Sequence, residues 1–116
     1  MDKLKKYQDL IVAYLTEYAQ TVKPANLEGV ESRVIIDKNN NSFQLVRIGW
    51  NGKQHVFNVV IHFDIINGKV WFQRNNTDRE IVDVLMEQGM ERQDIVLGFQ
   101  PPFARGYMGF AVAWIS

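Results

Sequence analysis

The sequence predicts an α+β domain: an antiparallel β-meander of about six strands, with a helix before it and a second helix after its fourth strand. Three observations carry this. An apolar stripe with helical spacing opens the chain. Two Asn-Gly pairs, Asn51-Gly52 and Asn67-Gly68, separate β-rich runs. A helix-start signal, Thr77-Asp78-Arg79-Glu80, follows the last of these runs.

The opening stripe is Leu4, Tyr7, Ile11, Tyr14 and Tyr18, widened by Leu15. Its spacing of three and four predicts an amphipathic helix over residues 3–21, with Asp2 as its cap. Pro24 prevents its continuation, and a loop runs through Gly29. Strands are expected at Val30 to Asp37, Ser42 to Trp50, Lys53 to Ile66 and Lys69 to Asn75. Thr77 is expected to cap the second helix, whose inner face carries Ile81, Val84, Leu85 and Gln88 and which stops at Gly89. Ile95 to Phe99 and Phe110 to Ile115 read as two more strands, joined by the loop "QPPFARGYMG".

The turns fix an expected register. A two-residue loop at Asn51-Gly52 sets Trp50 against Lys53, Ile48 against His55 and Val46 against Phe57. A second at Asn67-Gly68 sets Ile65 against Val70, Phe63 against Phe72 and His62 against Gln73. One face then collects Val46, Ile48, Phe57, Val59, Ile61, Phe63, Ile65, Val70 and Phe72, and is the core. The other collects Leu45, Arg47, Val56, Asn58, Val60, His62, Asp64, Trp71 and Gln73. That mixed face is expected to be only partly covered.

The totals bound the function. The chain has 116 residues, which implies one domain spanning 1–116. There is no cysteine, so neither a disulfide framework nor a thiolate metal site exists. That composition fits a reducing cytoplasm, the expected compartment. The apolar run Leu10 to Leu15 is too short for a membrane span or a signal peptide, so no membrane association is expected. Thirteen basic residues balance thirteen acidic ones. Independent duplex binding rests on clustered Lys and Arg, and only Lys3, Lys5 and Lys6 cluster here.

His62 and Asp64 share the mixed face, roughly 7 Å apart along the strand. A metal site needs three or four ligands, and the expected neighbours Gln73 and Trp71 supply no third strong one. A hydrolytic site needs an activated nucleophile, and no serine lies in a G-x-S-x-G context. No phosphate loop is present. No enzyme activity, metal or cofactor is therefore expected. The loop after Gly98 combines Pro101, Pro102, Phe103, Arg105 and Tyr107. Aromatics and arginine are common interface anchors, and prolines lower the ordering cost of binding. With His62, Asp64, Trp71 and Gln73, these residues form the candidate interaction surface. The apolar surface of the first helix and the mixed face also fits a homodimer.

Three segments together resemble the XisI family, the fdxN-element excision controlling factor proteins: "MDKLKKYQDLIVAYLTEYA", "IGWNGKQHVFNVVIHFDIINGKVWFQRNNTDREI" and "RQDIVLGFQPPFARGYMGFAVA". The resemblance runs from Met1 to Ala113. Gln100 and Met108 depart from it, where histidine and threonine are common. It implies a small α+β accessory protein for programmed excision of a DNA element, in which a separate recombinase cuts and rejoins the DNA. It implies an XisH-like protein as partner and carries over no catalytic residue. The alternative expectation is direct nucleic-acid binding within the excision complex.

Overall fold

The computed structural model describes residues 2–22 and 29–101. Helix α1 spans Lys3–Thr21. The Asp2 carboxylate accepts from the Leu4 N–H at 3.0 Å, the cap the sequence predicts. Strands β1 (Val30–Asp37), β2 (Ser42–Asn51), β3 (Gln54–Ile66) and β4 (Lys69–Asn75) follow, then α2 (Ile81–Glu87), a single 3₁₀ turn and β5 (Ile95–Leu97). The sheet order is β1-β2-β3-β4-β5. The first four strands pair antiparallel, as expected, but β5 runs parallel to β4. The sheet is therefore a meander closed by one β4-α2-β5 crossover. The expected strand Phe110 to Ile115 lies outside the described residues.

Both helices cover one face. Tyr7, Ile11, Leu15 and Tyr18 of α1, with Ile81 and Leu85 of α2, pack on Phe43, Leu45, Ile61, Phe63, Val70 and Phe72. Phe63 and Phe72 stack across β3 and β4, with ring centroids 4.4 Å apart. Tyr7, Ile11, Leu15 and Tyr18 of the α1 stripe are thus spent on the core, while Leu4 at its start stays 38% exposed.

The faces differ from expectation for local reasons. In the β2–β3 hairpin Asn51 pairs with Gln54, so the loop is Gly52-Lys53. Gly52 has φ +62 at the first central position, a type II′ arrangement rather than the expected Asn51-Gly52 turn. Trp50 accordingly faces His55, and Ile48 faces Phe57. Further along, Val46 pairs with Val59 but Leu45 pairs with Ile61, so Val60 is an extra residue on β3. A bulge of this kind switches the faces of everything beyond it. Leu45 and Val60 enter the core, whereas Val46, Ile48, Phe57 and Val59 move to the opposite face, which is helix-free among the described residues. The displaced carbonyls are still paired: Val59 accepts from Arg74 Nε at 2.7 Å and Val60 from the Asn76 N–H at 2.8 Å. The Asn67-Gly68 turn forms as expected, with both residues at positive φ, and Ile65–Val70 and Phe63–Phe72 are paired. A second irregularity then pairs His62 with Arg74 instead of Gln73.

The Thr77 capping box does not form. Asn75 Oδ1 takes both the Thr77 N–H and its hydroxyl, and Thr77 Oγ1 accepts from the Arg79 N–H at 3.1 Å. The turn is capped locally and α2 starts later, at Ile81. Its end is as read: Gly89 (φ +112) bonds to Met86 O and Met90 to Leu85 O, a Schellman motif.

One polar knot fastens the start of α1 to the turn before β5. The Tyr7 hydroxyl donates to Asp94 Oδ2 at 2.6 Å and accepts from the Glu91 N–H at 3.2 Å. Lys3 Nζ lies 2.7 Å from both Asp94 and Glu91 carboxylates. Burial pushes the Asp94 carboxyl up, but the Lys3 ammonium and Tyr7 hydroxyl outweigh it and hold it below its ordinary value. Replacing Tyr7 with Phe leaves the buried carboxylate short of a donor and is expected to cost about 1–3 kcal/mol, read by denaturant titration. Because the folded-state pKa lies below the unfolded one, this stabilisation is complete above the unfolded value and fades as pH falls through the folded value. Asp94→Asn should therefore be less stable than the parent at pH 7, with the gap closing below pH about 4. A constant gap across that range would contradict the assignment.

Candidate functional site

The helix-free face holds the candidate site. Ser42, Asp64, Trp71 and Val96 form one row across β2, β3, β4 and β5, since each is paired with the next. Gln44 and His62 form the row beside it. The Ser42 hydroxyl donates to Asp64 Oδ1 at 2.6 Å, and His62 Nε2 lies 2.9 Å from the same oxygen. Gln73 Nε2 donates to Asp64 Oδ2 at 3.3 Å. His62 Nδ1 lies 2.9 Å from Gln44 Oε1. The expected trio of His62, Asp64 and Gln73 is thus joined, and Ser42 and Gln44 complete it.

Sequence reasoning passed over Ser42 because it tested only local motifs for nucleophiles. The register expected from the turn sets Ser42 against Ile61, whereas the shifted turn and the bulge bring it directly opposite Asp64. A serine, a histidine and an aspartate therefore do converge, but in the wrong order for nucleophilic catalysis. A hydrolytic set puts the histidine between serine and carboxylate, so that imidazole takes the hydroxyl proton. Here the carboxylate sits between the other two, and neither ring nitrogen faces Ser42. Asp64 is also a poor base. Burial pushes it up, but hydrogen bonds from Ser42 and His62 prevail and hold it below its ordinary value. Among the described residues, no group of three or more His, Asp or Glu is placed to hold a metal ion. The network ties three strands together by side chains.

Trp71 lies on this face as expected, yet it is only 4% exposed. Gly98 packs against it: a Cβ there would collide with the Gln73 amide and come within 3.2 Å of the Trp71 ring. Trp71 is therefore unavailable for docking in this conformation. Of the expected loop residues, Pro101 is exposed, while Pro102, Phe103, Arg105 and Tyr107 lie outside the described residues.

What the face presents instead was missed in the sequence. Trp50 is 58% exposed and Phe57 64%. His55 lies between them, its ring 4.8 Å from Trp50 and 6.5 Å from Phe57, centroid to centroid. Ile48, opposite Phe57, and Ile35, opposite Gln44, extend the apolar area. Phe57 also walls an open groove of about 510 Å³ that includes Gln44, His62, Gln73 and Arg74. An aromatic strip thus borders a hydrogen-bonded polar network. A second cleft, of about 370 Å³ between α1 and α2, is lined by Tyr14, Glu17, Tyr18 and Arg79 among others, with the Arg79 guanidinium over the Tyr18 ring. Among the described residues, no helix is long and apolar enough to cross a membrane.

Comparison with known proteins fits this architecture. The chain matches the XisI protein family over residues 1–112. A XisI-like protein from Anabaena variabilis ATCC 29413 is 42% identical and superposes with a TM-score of 0.87, over 95% of this chain and 99% of that one. The fdxN element excision controlling factor XisI from the same organism is 33% identical, with a TM-score of 0.84 over 97% of this chain and 100% of that one. Among curated proteins, none matches. A family match over nearly the whole length, with relatives this similar in sequence and fold, establishes that the chain belongs to the XisI family.

Proposed function

We propose that this chain is a non-enzymatic accessory factor in the excision of a DNA element, and that it acts by docking its helix-free sheet face onto an XisH-like protein. Family membership supports the excision context, since a relative of 33% identity is an fdxN element excision controlling factor. The observation that carries the docking reading is the exposed strip of Trp50, His55 and Phe57 beside the fixed His62–Asp64 network. Large aromatics at the centre of a patch, rimmed by ordered polar groups, are what protein interfaces use as anchors. The non-enzymatic reading is supported by the order of the Ser42, Asp64 and His62 contacts and by the weak basicity of Asp64.

The test is co-purification with an XisH-like protein. A complex at micromolar concentration is expected, and its absence with both proteins folded counts against the proposal. Trp50→Ala with Phe57→Ala should abolish that complex while changing stability little, because both side chains are exposed. Trp71→Ala should instead cost about 3–5 kcal/mol of stability, because its ring is buried.

A second reading has one observation in its favour. Exposed rings at the hairpin end of a sheet suit base stacking, so the same strip would receive single-stranded nucleic acid. The neutral charge weighs against it. Fluorescence anisotropy at low salt decides: retention of a single strand that is lost in the Trp50 and Phe57 variants favours stacking, and no binding removes it.

The Asp64 network makes a separate prediction. Asp64→Asn should lower stability at neutral pH by about 1–3 kcal/mol, with the loss shrinking below pH about 4, where the parent carboxylate is itself protonated. An equal loss at pH 3 and pH 7 would show that charge has no part in the network.

A further inference from the structure

We infer that β1 is a self-association edge: two copies of this chain pair their β1 strands antiparallel about a two-fold axis through Ile35, joining two sheets into one. This does not rest on the docking role proposed for the helix-free face.

Among the described residues β1 is an outer strand of the sheet. The Trp50 N–H donates to the Gly29 carbonyl at 3.0 Å. By the two-residue period of an antiparallel ladder, the backbone groups of Glu31, Arg33, Ile35 and Asp37 then face β2. Those of Ser32, Val34 and Ile36 point outward. Charge is the one edge-protecting device that β1 carries, in Glu31, Arg33 and Asp37, and its mixed sign can be matched by a second copy. "VESRVIID" holds no proline and no lysine, and its register with β2 runs without a bulge. Instead, isoleucines are exposed on both faces. Ile35 is 43% exposed on the helix-free face and Ile36 is 39% exposed on the helix face. A cover on either face alone would bury one of them. A further strand added at the edge shields both.

The pattern of β1 selects a second copy as that strand. With the axis at Ile35, Ile35 meets its own counterpart on the helix-free face. Val34 meets Ile36 of the second copy on the helix face, and their outward N–H and C=O groups supply the ladder. Arg33 meets Asp37 of the second copy, cation against anion. Apolar thus faces apolar on both sides of the sheet. Moving the axis by one residue spoils this match. Centred on Val34, it sets Glu31 against Asp37; centred on Ile36, it sets Ile35 against Asp37. Arg33 already pairs with Glu31 within the chain, so in the dimer it lies between two carboxylates. Asp37 is held at the strand end by the Asn40 N–H at 3.1 Å and the Asn40 amide at 2.7 Å.

The absence of cysteine makes the test clean. Residues directly opposite in a non-hydrogen-bonded antiparallel pair have Cα atoms about 4.5 Å apart, within disulfide range. Oxidised Ile35→Cys should run as a covalent dimer, and Glu31→Cys, on the same strand and face, should stay monomeric. In the parent, sedimentation should show a concentration-dependent doubling of mass. Val34→Pro removes an outward donor that the monomer does not use, and proline is tolerated on edge strands. It should keep the circular dichroism spectrum and lose the dimer. A parent that remains monomeric at several hundred micromolar overturns the inference. So does Ile35→Cys cross-linking no faster than Glu31→Cys, a result that stands even if Val34→Pro fails to fold.

Discussion

Between Val46 and Leu45 of β2, strand β3 carries one residue more than its neighbour can pair, and the composition of both sheet faces depends on it. A strand has a side-chain period of two, so an inserted residue exchanges the faces on one side of the insertion. Beyond Val60, the residues Ile61, Phe63 and Ile65 point to the helices and build the core. Before it, Phe57 and Val59 point to the helix-free face, where Phe57 joins Trp50 and His55. Without the bulge Phe57 would enter the core and no aromatic strip would exist. The bulge is therefore a structural cause of the surface that the proposed function uses. Its cost is offset where it arises, because Arg74 and Asn76 pair with the carbonyls it displaces.

The two polar networks divide the remaining work. Tyr7, Asp94, Lys3 and Glu91 lie at the helix layer and hold the start of α1 against the segment leading into β5. This fixes the parallel strand that ends the described sheet. Ser42, His62, Asp64, Gln73 and Gln44 lie on the opposite face and join β2, β3 and β4 through side chains. In both, an aspartate is depressed below its ordinary pKa because donors outweigh burial. The acids are anchors. Their environment favours a fixed charge over proton transfer at neutral pH.

Features set by neighbours in the chain were legible in the sequence. Helix 3–21, its Asp2 cap, the Asn67-Gly68 turn and the Gly89 stop depend on residues within a few positions. So do the bounds of β1 and β4. Features set by pairing across the sheet were less so. The parallel course of β5 depends on where a crossover returns, which no local pattern encodes. Gly52-Lys53 displaced Asn51-Gly52 as the turn, since a glycine satisfies the first central position of a type II′ loop as well as the second of a type I′ loop. The Val60 bulge did leave a trace: Val59-Val60-Ile61 breaks the alternation of its strand. At the site, His62, Asp64 and Gln73 were correctly grouped on one face. Ser42 and Gln44 escaped because their proximity is a matter of register, and Trp71 was placed on the right face without its burial being visible.

The central claim is that the face freed of Phe57's expected burial is a recognition surface. Hydrogen exchange of this chain alone and with an XisH-like protein bound tests it most directly. New protection is expected in the Trp50 to Val59 hairpin, with α1 and α2 unchanged. Protection confined to the helices, with that hairpin exchanging as in the free chain, would contradict it.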